Sequence, residues 1–540
     1  MNFDPYHFPY PSRRHLVYGE RGMVCSSQPL ASQLGLDVMK RGGNAVDAVI
    51  CAAAALTVLE PASNGLGSDA FAIVWPAGAE KPQGLNASGP APLLMTEDRI
   101  REKGFDAIPM YGIVPVTVPG AISAWAALSQ RYGKFPLDNT LEGAAALAEQ
   151  GFPLSPVSAA SWKAGQDIYL REFSRAPELY RGWSSVFAPG GKAPGPGETV
   201  VLEAHAATIR EIGKTGGESF YRGAIAADID RYMREHNGFL RSEDLAAFSP
   251  EWVDPVSVNY RGYDIWEIPP NGQGLVALMA LNIFKNFESP GIFEDAEVFH
   301  KKIEALKLAF ADGHHYIGDP RFVSWDYKKL ISEDYGRLRS RLIGDTALEP
   351  APGKLPSGGT VYLCAADRDG NMVSYIQSNF CGFGSGAVLP ERGISFQNRG
   401  YGFNLDRNSV KYVEGGKRPF HTIIPGFISR GTVPLGPFGI MGGAMQPQAH
   451  FQVISNLVDH QFNPQAALDA PRWMWDEGKR ILAEPAVPKE IIAALQQRGH
   501  DIGYEQKISH FGRGQIILRQ GSGVYAGATE PRCDGYTAVW

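Results

Sequence analysis

The spacing of apolar positions sets out most of the elements before any chemistry is considered. From Ser26 to Pro61 the pattern is helical. Leu30, Leu34, Leu36, Val38 and Met39 approximate helical spacing, Gly42–Gly43 interrupts them, and Asn44 stands where a side-chain oxygen can cap a second helix. That second helix carries the most apolar run of the chain, AVICAAAALTVL from Ala48 to Leu59. The run is too short to span a bilayer and predicts a helix buried in a protein core. SNGLGSDAFAIVWPAG follows as a Gly-rich turn and an apolar strand, and the region from Glu142 to Asn237 is mostly helical, broken by APGGKAPGPGE, an exposed loop by composition. VSVNYRGYDIWEIPP alternates about Arg261–Gly262 and predicts a hairpin, while AEVFHKKIEALKLAFADGHHYIG predicts an amphipathic helix. Beyond Thr360 the pattern turns to strands. No repeat or low-complexity linker separates the helix-rich first two thirds from the strand-rich remainder, so one intertwined domain is expected.

The boundary between those regions is the stretch SGGTVYLCAADRDGNMVSYIQSN, Ser357 to Asn379. Val361, Leu363 and Ala365 alternate with Tyr362, Cys364 and Ala366, and Asp369–Gly370 is a two-residue hairpin signal. Thr360 therefore opens the first strand of a hairpin, and Ser378 lies near the matching end of the returning strand, where cross-strand pairing brings the two hydroxyls together. Gly358–Gly359 admits two readings. One is a turn that merely opens a strand. The other is a cleavage site between Gly359 and Thr360. A threonine hydroxyl is a poor nucleophile without a base, and the α-amine freed by cleavage, with a pKa of about 7.7–8.0, can be that base. A second pair, Gly442–Gly443 in GIMGGAMQPQAH, follows a short apolar strand. It is either a turn or a pair of backbone N–H donors able to hold an oxyanion.

Composition narrows the function classes. With 44% hydrophobic and 20% charged residues the chain has an ordinary globular make-up, and its net charge of −6 gives no electrostatic case for nucleic acid or an anionic membrane as partner. The first twenty residues lack the apolar core of a secretory signal. Five cysteines, Cys25, Cys51, Cys364, Cys381 and Cys533, are an odd number with no CxxC pair, which reads as reduced thiols in a cytoplasmic protein. His314–His315 are adjacent and point to different faces of a helix, and no His/Asp/Glu cluster was evident at ligand spacing, so neither metal nor cofactor is expected. GFGSG, Gly382 to Gly386, lacks the strand–GxGxxG–helix context of a phosphate loop and reads as a glycine loop lining a pocket.

Taken in order, SSQPLASQLGLDVMKRGGNAVDAVICAAAALTVLEPASNGLG, VTVPGAISAWAALSQRYGKFPL, SFYRG, VNYRGYDIWEIPPNGQG, KLAFADGHHYIGDPRFV, GGTVYLCAADRDGNMVS, GFGSGAVLP, KRPFHTIIP and MGGA resemble the γ-glutamyltransferase family of N-terminal-nucleophile hydrolases over nearly the full chain. The resemblance implies an α+β fold, a four-layer αββα sandwich, and a proenzyme that cuts itself into a large chain, 1–359, and a small chain, 360–540, which stay associated. It implies Thr360 as nucleophile, Ser378 in the place of a supporting threonine, and Gly442 and Gly443 as the oxyanion glycines. A homodimer of the processed pair stays open.

The chain departs from the family where a γ-glutamyl group is held. Ser88, in LNASGPAP, stands at the place of the carboxylate-binding arginine; Phe380, Arg399 and Gly402 stand at the places of an asparagine, a glutamine and an aspartate; His421–Thr422 replaces a serine pair. The expected pocket therefore has one cation, Arg399, and no acidic partner for an amine. His421 can serve there as base or hydrogen-bond donor, or be a packed structural histidine. These departures resemble branches that hydrolyse other small amides, among them oxamate amidohydrolases and cephalosporin-type acylases. The expectation is hydrolysis of a small anionic, oxamate-like amide through an acyl-threonine. The alternatives are glutathione hydrolase or transpeptidase activity, and a non-catalytic scaffold.

Overall fold

The structure is a computed structural model and describes residues 14–288, 293–350 and 359–540. Its centre is two stacked seven-stranded sheets. The strands, in chain order, are β1 (Val17–Gly19), β2 (Gly22–Ser26), β3 (Asp69–Trp75), β4 (Gln83–Ala87), β5 (Glu251–Val253), β6 (Val256–Tyr260), β7 (Tyr263–Glu267), β8 (Gly359–Asp367), β9 (Met372–Phe380), β10 (Gly426–Arg430), β11 (Val433–Met441), β12 (Arg513–Arg519), β13 (Tyr525–Thr529) and β14 (Tyr536–Val539). One sheet runs β14-β2-β8-β9-β3-β4-β5 and the other β1-β13-β12-β11-β10-β7-β6. Each sheet takes strands from both sides of Thr360, so the two regions of the sequence are interleaved strand by strand.

The alternation in β8 explains the layering. Val361, Leu363 and Ala365 face outward into a core shared with helices α1 (Pro29–Lys40) and α2 (Ala45–Leu59). Tyr362, Cys364 and Ala366 face inward and meet Phe427 and Ile517 of the second sheet. The far face of that sheet, with Phe438, Ile440 and Ile516, packs on α3 (Gly274–Phe284), α4 (Ala296–Tyr316) and α5 (Met445–Val458). The order is helix, sheet, sheet, helix, as the resemblance implied. All residues of α2 are buried, and Asn44 caps it through Val46 and Asp47 N–H in a reciprocal capping box. An apolar helix with no wet face belongs between layers, and each large aliphatic side chain buried there stabilises by about 1.5–3 kcal/mol. The hairpin at Arg261–Gly262 forms between β6 and β7, with both turn residues at positive φ as a tight primed turn requires. Among the described residues no helix is long and apolar enough to cross a membrane.

Candidate active site

The β8–β9 hairpin positions the threonine. Its register pairs Val361 with Gln377 and Tyr362 with Ile376, then shifts by a bulge so that Gly359 meets Phe380. Thr360 sits at that bulge, where an extra residue re-aims side chains. Its Oγ1 lies 3.1 Å from Ser378 Oγ, which also accepts the Phe380 N–H at 2.8 Å. A third group reaches the same atom: Gln446 Nε2, in the first turn of α5, is 3.5 Å from Thr360 Oγ1, while its carbonyl oxygen accepts the Ile424 N–H. Both hydroxyl-bearing residues are almost wholly buried. Gly358 lies outside the described residues.

Gly442 and Gly443 join the end of β11 to the start of α5. They adopt φ of 136° and 60°, the second of these left-handed and both readily adopted only by glycine. Gln273 Nε2 ties the turn down by bonding both the Gly443 and Thr422 carbonyls, at 2.9 and 2.6 Å. The N–H groups of the two glycines find no backbone acceptor among the described residues. They stand beside a helix N-terminus, whose partial positive charge favours an anion. A cavity of about 210 Å3 opens at this turn, bounded in part by Gly442, Ala444 and Met445.

Arg399 is not a solvated loop arginine. It is 1% exposed, and its guanidinium lies 4.6 Å from the centre of the Phe380 ring, a cation–π contact. Phe380 adopts φ of 80°, uncommon for a bulky residue, and this strained backbone follows directly on the Ser378 pair. Nη1 of Arg399 donates to Thr422 Oγ1 at 2.7 Å, whereas Nε and Nη2 are buried without a hydrogen-bond partner among the described residues.

The expectation of a pocket without an acidic group is corrected by Asp69. This residue opens β3 directly opposite Ser378 on β9, and its Oδ2 lies 4.0 Å from Arg399 Nε and 3.0 Å from His421 Nε2. Four ångströms is an ion pair but too long for a hydrogen bond. Burial pushes the Asp69 carboxyl up to about 7, against the opposing pull of Arg399 and of the Gly89 N–H. Burial likewise lowers Arg399 to about 10, so it stays charged at neutral pH. His421 is held well below its ordinary value by burial and then by Arg399 and Arg418. Its Nδ1 faces the Ile423 N–H at 3.4 Å, which assigns the single proton to Nε2 as a donor to Asp69. The imidazole therefore has no free lone pair and acts as a donor, not a base.

Ser88 does not replace the missing arginine. Its hydroxyl turns to Asn86 at 2.7 Å, Asn271 Nδ2 donates to it at 3.1 Å, and its carbonyl accepts Arg418 Nε at 3.0 Å. Gly402 closes the short helical turn that begins at Arg399. Of the residues predicted from sequence, the structure thus gathers Thr360 with Ser378, and Arg399 with Phe380 and Thr422; His421 joins the latter through Asp69, and Ser88 faces a separate amide cluster. Asp69, Gln273 and Gln446 went unread. The available signals were an aspartate at the head of a wholly apolar strand and a glutamine three residues after a glycine pair. His314 meets Lys411 through Nδ1, and exposed His315 makes a T-shaped ring contact with Tyr316.

Known proteins resemble the chain over nearly its whole length. The Gamma-glutamyltranspeptidase family model matches residues 31–540. The chain is 33% identical to the glutathione hydrolase-like YwrD proenzyme of Bacillus subtilis, over 96% of this chain and 98% of that protein. It is 32% identical to the oxamate amidohydrolase proenzyme of Klebsiella pneumoniae, over the same shares of the two chains. Among solved structures, cephalosporin acylase from Bacillus halodurans is similar with a TM-score of 0.96 and 52% identity, covering 100% of this chain and 99% of that one.

Proposed function

The chain belongs to the gamma-glutamyltranspeptidase family of N-terminal-nucleophile hydrolases, and we propose that it cleaves itself before Thr360 and then hydrolyses the amide bond of a small anionic, oxamate-like substrate. In this reading the freed α-amine of Thr360 takes the hydroxyl proton as Oγ1 attacks the amide carbon. The oxyanion forms against the Gly442 and Gly443 N–H groups. Collapse expels the leaving nitrogen with the proton, as ammonia from oxamate, and water then attacks the acyl-threonine ester to release the acid and restore the hydroxyl. Ser378 and Gln446 hold Oγ1 in line.

The observation that carries the substrate class is the buried Arg399 guanidinium with Nε and Nη2 unspent. A buried charge with idle donors is costly unless a ligand completes it, and a carboxylate matches that fork. The oxamate amidohydrolase and the cephalosporin acylase among the similar proteins support an amide substrate other than a γ-glutamyl compound. Asp69 favours a second reading, glutathione hydrolysis, because a carboxylate beside Arg399 can hold an α-ammonium group. A screen of the processed protein decides between them by kcat/KM on oxamate, an acyl-cephalosporin, glutathione and γ-glutamyl-anilide. Preference for either of the first two is the expected outcome, and a clear preference for glutathione restores the γ-glutamyl assignment.

A further inference from the structure

Away from the candidate active site, one buried cluster has the composition of a metal centre. His300 and Glu304 stand four apart on α4 and so share a face of the helix. His500 reaches them from the turn between α6 (Lys489–Gln497) and the strand Asp501–Tyr504. The three are 1%, 0% and 4% exposed. His300 Nδ1 lies 2.8 Å from His500 Nε2, His500 Nε2 lies 3.8 Å from Glu304 Oε1, and the three donor atoms fall within 4.8 Å of one another. This corrects the sequence reading that found no His/Asp/Glu cluster at ligand spacing. Two of the ligands were four apart on one helix, and only the fold brings the third.

The surroundings suit ligation at His300 and Glu304, whereas His500 donates its Nε2 proton to His300 Nδ1 and must shift that proton to Nδ1, which is buried without a hydrogen-bond partner among the described residues, in order to bind a metal. His300 Nε2 faces the Gly344 carbonyl at 2.8 Å, so that nitrogen carries the proton and Nδ1 presents its lone pair to the cluster. Glu304 Oε2 accepts the Leu348 N–H at 3.1 Å, which orients the carboxylate with Oε1 inward. Burial lowers both imidazoles, His500 to about 3, so they stay neutral, as ligation requires. The opposing group is Lys307, whose ammonium lies 2.7 Å from Glu304 Oε1 and also donates to the Leu348 carbonyl. It uses one of the two lone pairs of that oxygen. Burial lowers the Lys307 ammonium as well, although Glu304 opposes the shift. Arg498, Lys479 and Glu349 are the other charges felt at this position.

We propose that His300 Nδ1, Glu304 Oε1 and His500 Nε2 bind one zinc-class divalent cation. Two imidazoles and a carboxylate are a borderline set suited to Zn2+, with a fourth position left for water. Closing a tetrahedron at about 2.0–2.2 Å per ligand requires the two imidazole nitrogens to move apart from 2.8 Å and the carboxylate oxygen to move in toward them. The location gives the site a purpose. His300 and Glu304 precede Thr360, His500 follows it, and the Gly344 and Leu348 backbone groups belong to the segment that leads to the Gly359–Thr360 bond. A cation here would tie the two chains together after cleavage and fix the end of the large one. That purpose rests on the self-cleavage reading; the binding itself does not.

The test uses the full-length protein without a histidine tag, stripped with chelator and titrated with Zn2+ and with Co2+. The expected result is one equivalent bound per chain, with the visible absorption of four-coordinate cobalt. His500→Ala and Glu304→Gln weaken binding by about 100-fold or more, on the scale at which even outer-shell changes cost 10- to 100-fold. His314→Ala does not weaken it. Binding in an uncleaved Thr360→Ala background separates this proposal from the fate of the cleavage reading. Wild-type protein that binds neither ion stoichiometrically, or a His500→Ala protein that binds both as tightly as wild type, shows the cluster to be a hydrogen-bonded histidine pair and overturns the proposal. The wild-type cobalt titration decides even if the variants do not fold.

Discussion

If Arg399 grips the carboxylate of the substrate, removing its charge must cost activity in proportion to the two donors it holds idle. Nε and Nη2 are the unspent nitrogens. A hydrogen bond to a charged group contributes about 1.5–3 kcal/mol net, so two contribute roughly 3–6 kcal/mol, or about 10²- to 10⁴-fold in kcat/KM at 1.4 kcal/mol per factor of ten. Arg399→Met alone is a poor test. It strips Asp69 of its cation inside the protein, and breaking a buried pair costs about 3–5 kcal/mol of stability. Because burial already pushes Asp69 up to about 7, protonation relieves part of that cost, more at pH 6 than at pH 8. The informative variant is Asp69→Asn with Arg399→Met. It removes both charges at once, leaves a carbonyl for the His421 Nε2–H to bond, and is expected to match wild type in thermal midpoint within a few degrees, since replacing a buried ion pair with neutral groups is often neutral or stabilising. It should still cleave itself. Hydrolysis of oxamate should fall by the stated factor, while an uncharged small amide should lose less than tenfold. A doubly substituted protein that is fully processed and still turns over oxamate within tenfold of wild type refutes the reasoning, because the guanidinium would then be structural.

Further outcomes follow from the same geometry. Wild-type protein should run as two bands on a denaturing gel, the smaller beginning TVYLCAAD, while Thr360→Ala stays a single chain; Ser378→Ala, which removes the hydroxyl 3.1 Å from Thr360 Oγ1, should slow turnover by about 10²-fold, and an unchanged rate would exclude Ser378 from the chemistry. Raising the pH from 6 to 8 ionises Asp69 near 7 and balances the charge of Arg399, so KM for oxamate should rise across that interval and Asp69→Asn should flatten the profile; since the folded pKa lies above the ordinary value of 3.8, this carboxyl also withdraws stability as pH climbs from about 4 to 7, which a chemical-denaturation series on both proteins can read. Gln446→Leu deletes a side-chain donor to Thr360 Oγ1 and should lower kcat by about 10²-fold with KM little changed, whereas equal losses in folding yield and activity would mean that its bond to the Ile424 N–H is what matters.

Local order was legible wherever one short stretch of chain determines it. The α2 helix could be read because an unbroken apolar run with a capping asparagine has one good home, and the β8–β9 hairpin because alternation fixes which side chains share a face and Asp369–Gly370 fixes the turn. From those two facts alone the meeting of Thr360 and Ser378 follows. The substrate pocket was legible only in part, for a physical reason. Matching positions one by one finds Gly402 where an acid was looked for and concludes that the pocket has none. Yet sheets bring together residues hundreds of positions apart, and the register that sets Ser378 opposite Asp69 delivers a carboxylate to the same neighbourhood from β3. Spacing along the chain carries no trace of that pairing, just as His300 and Glu304 give no hint of His500. Asp69 also changes what the pocket is. A lone buried guanidinium would be a permanent anion trap. A guanidinium beside a carboxyl that titrates near 7 is a trap whose strength the proton sets, with His421 as the donor that keeps the carboxylate aimed. If Arg399 anchors the substrate as proposed, selectivity for a small anion over a zwitterion depends on the protonation of one aspartate, and not only on which cation the loop after β9 supplies.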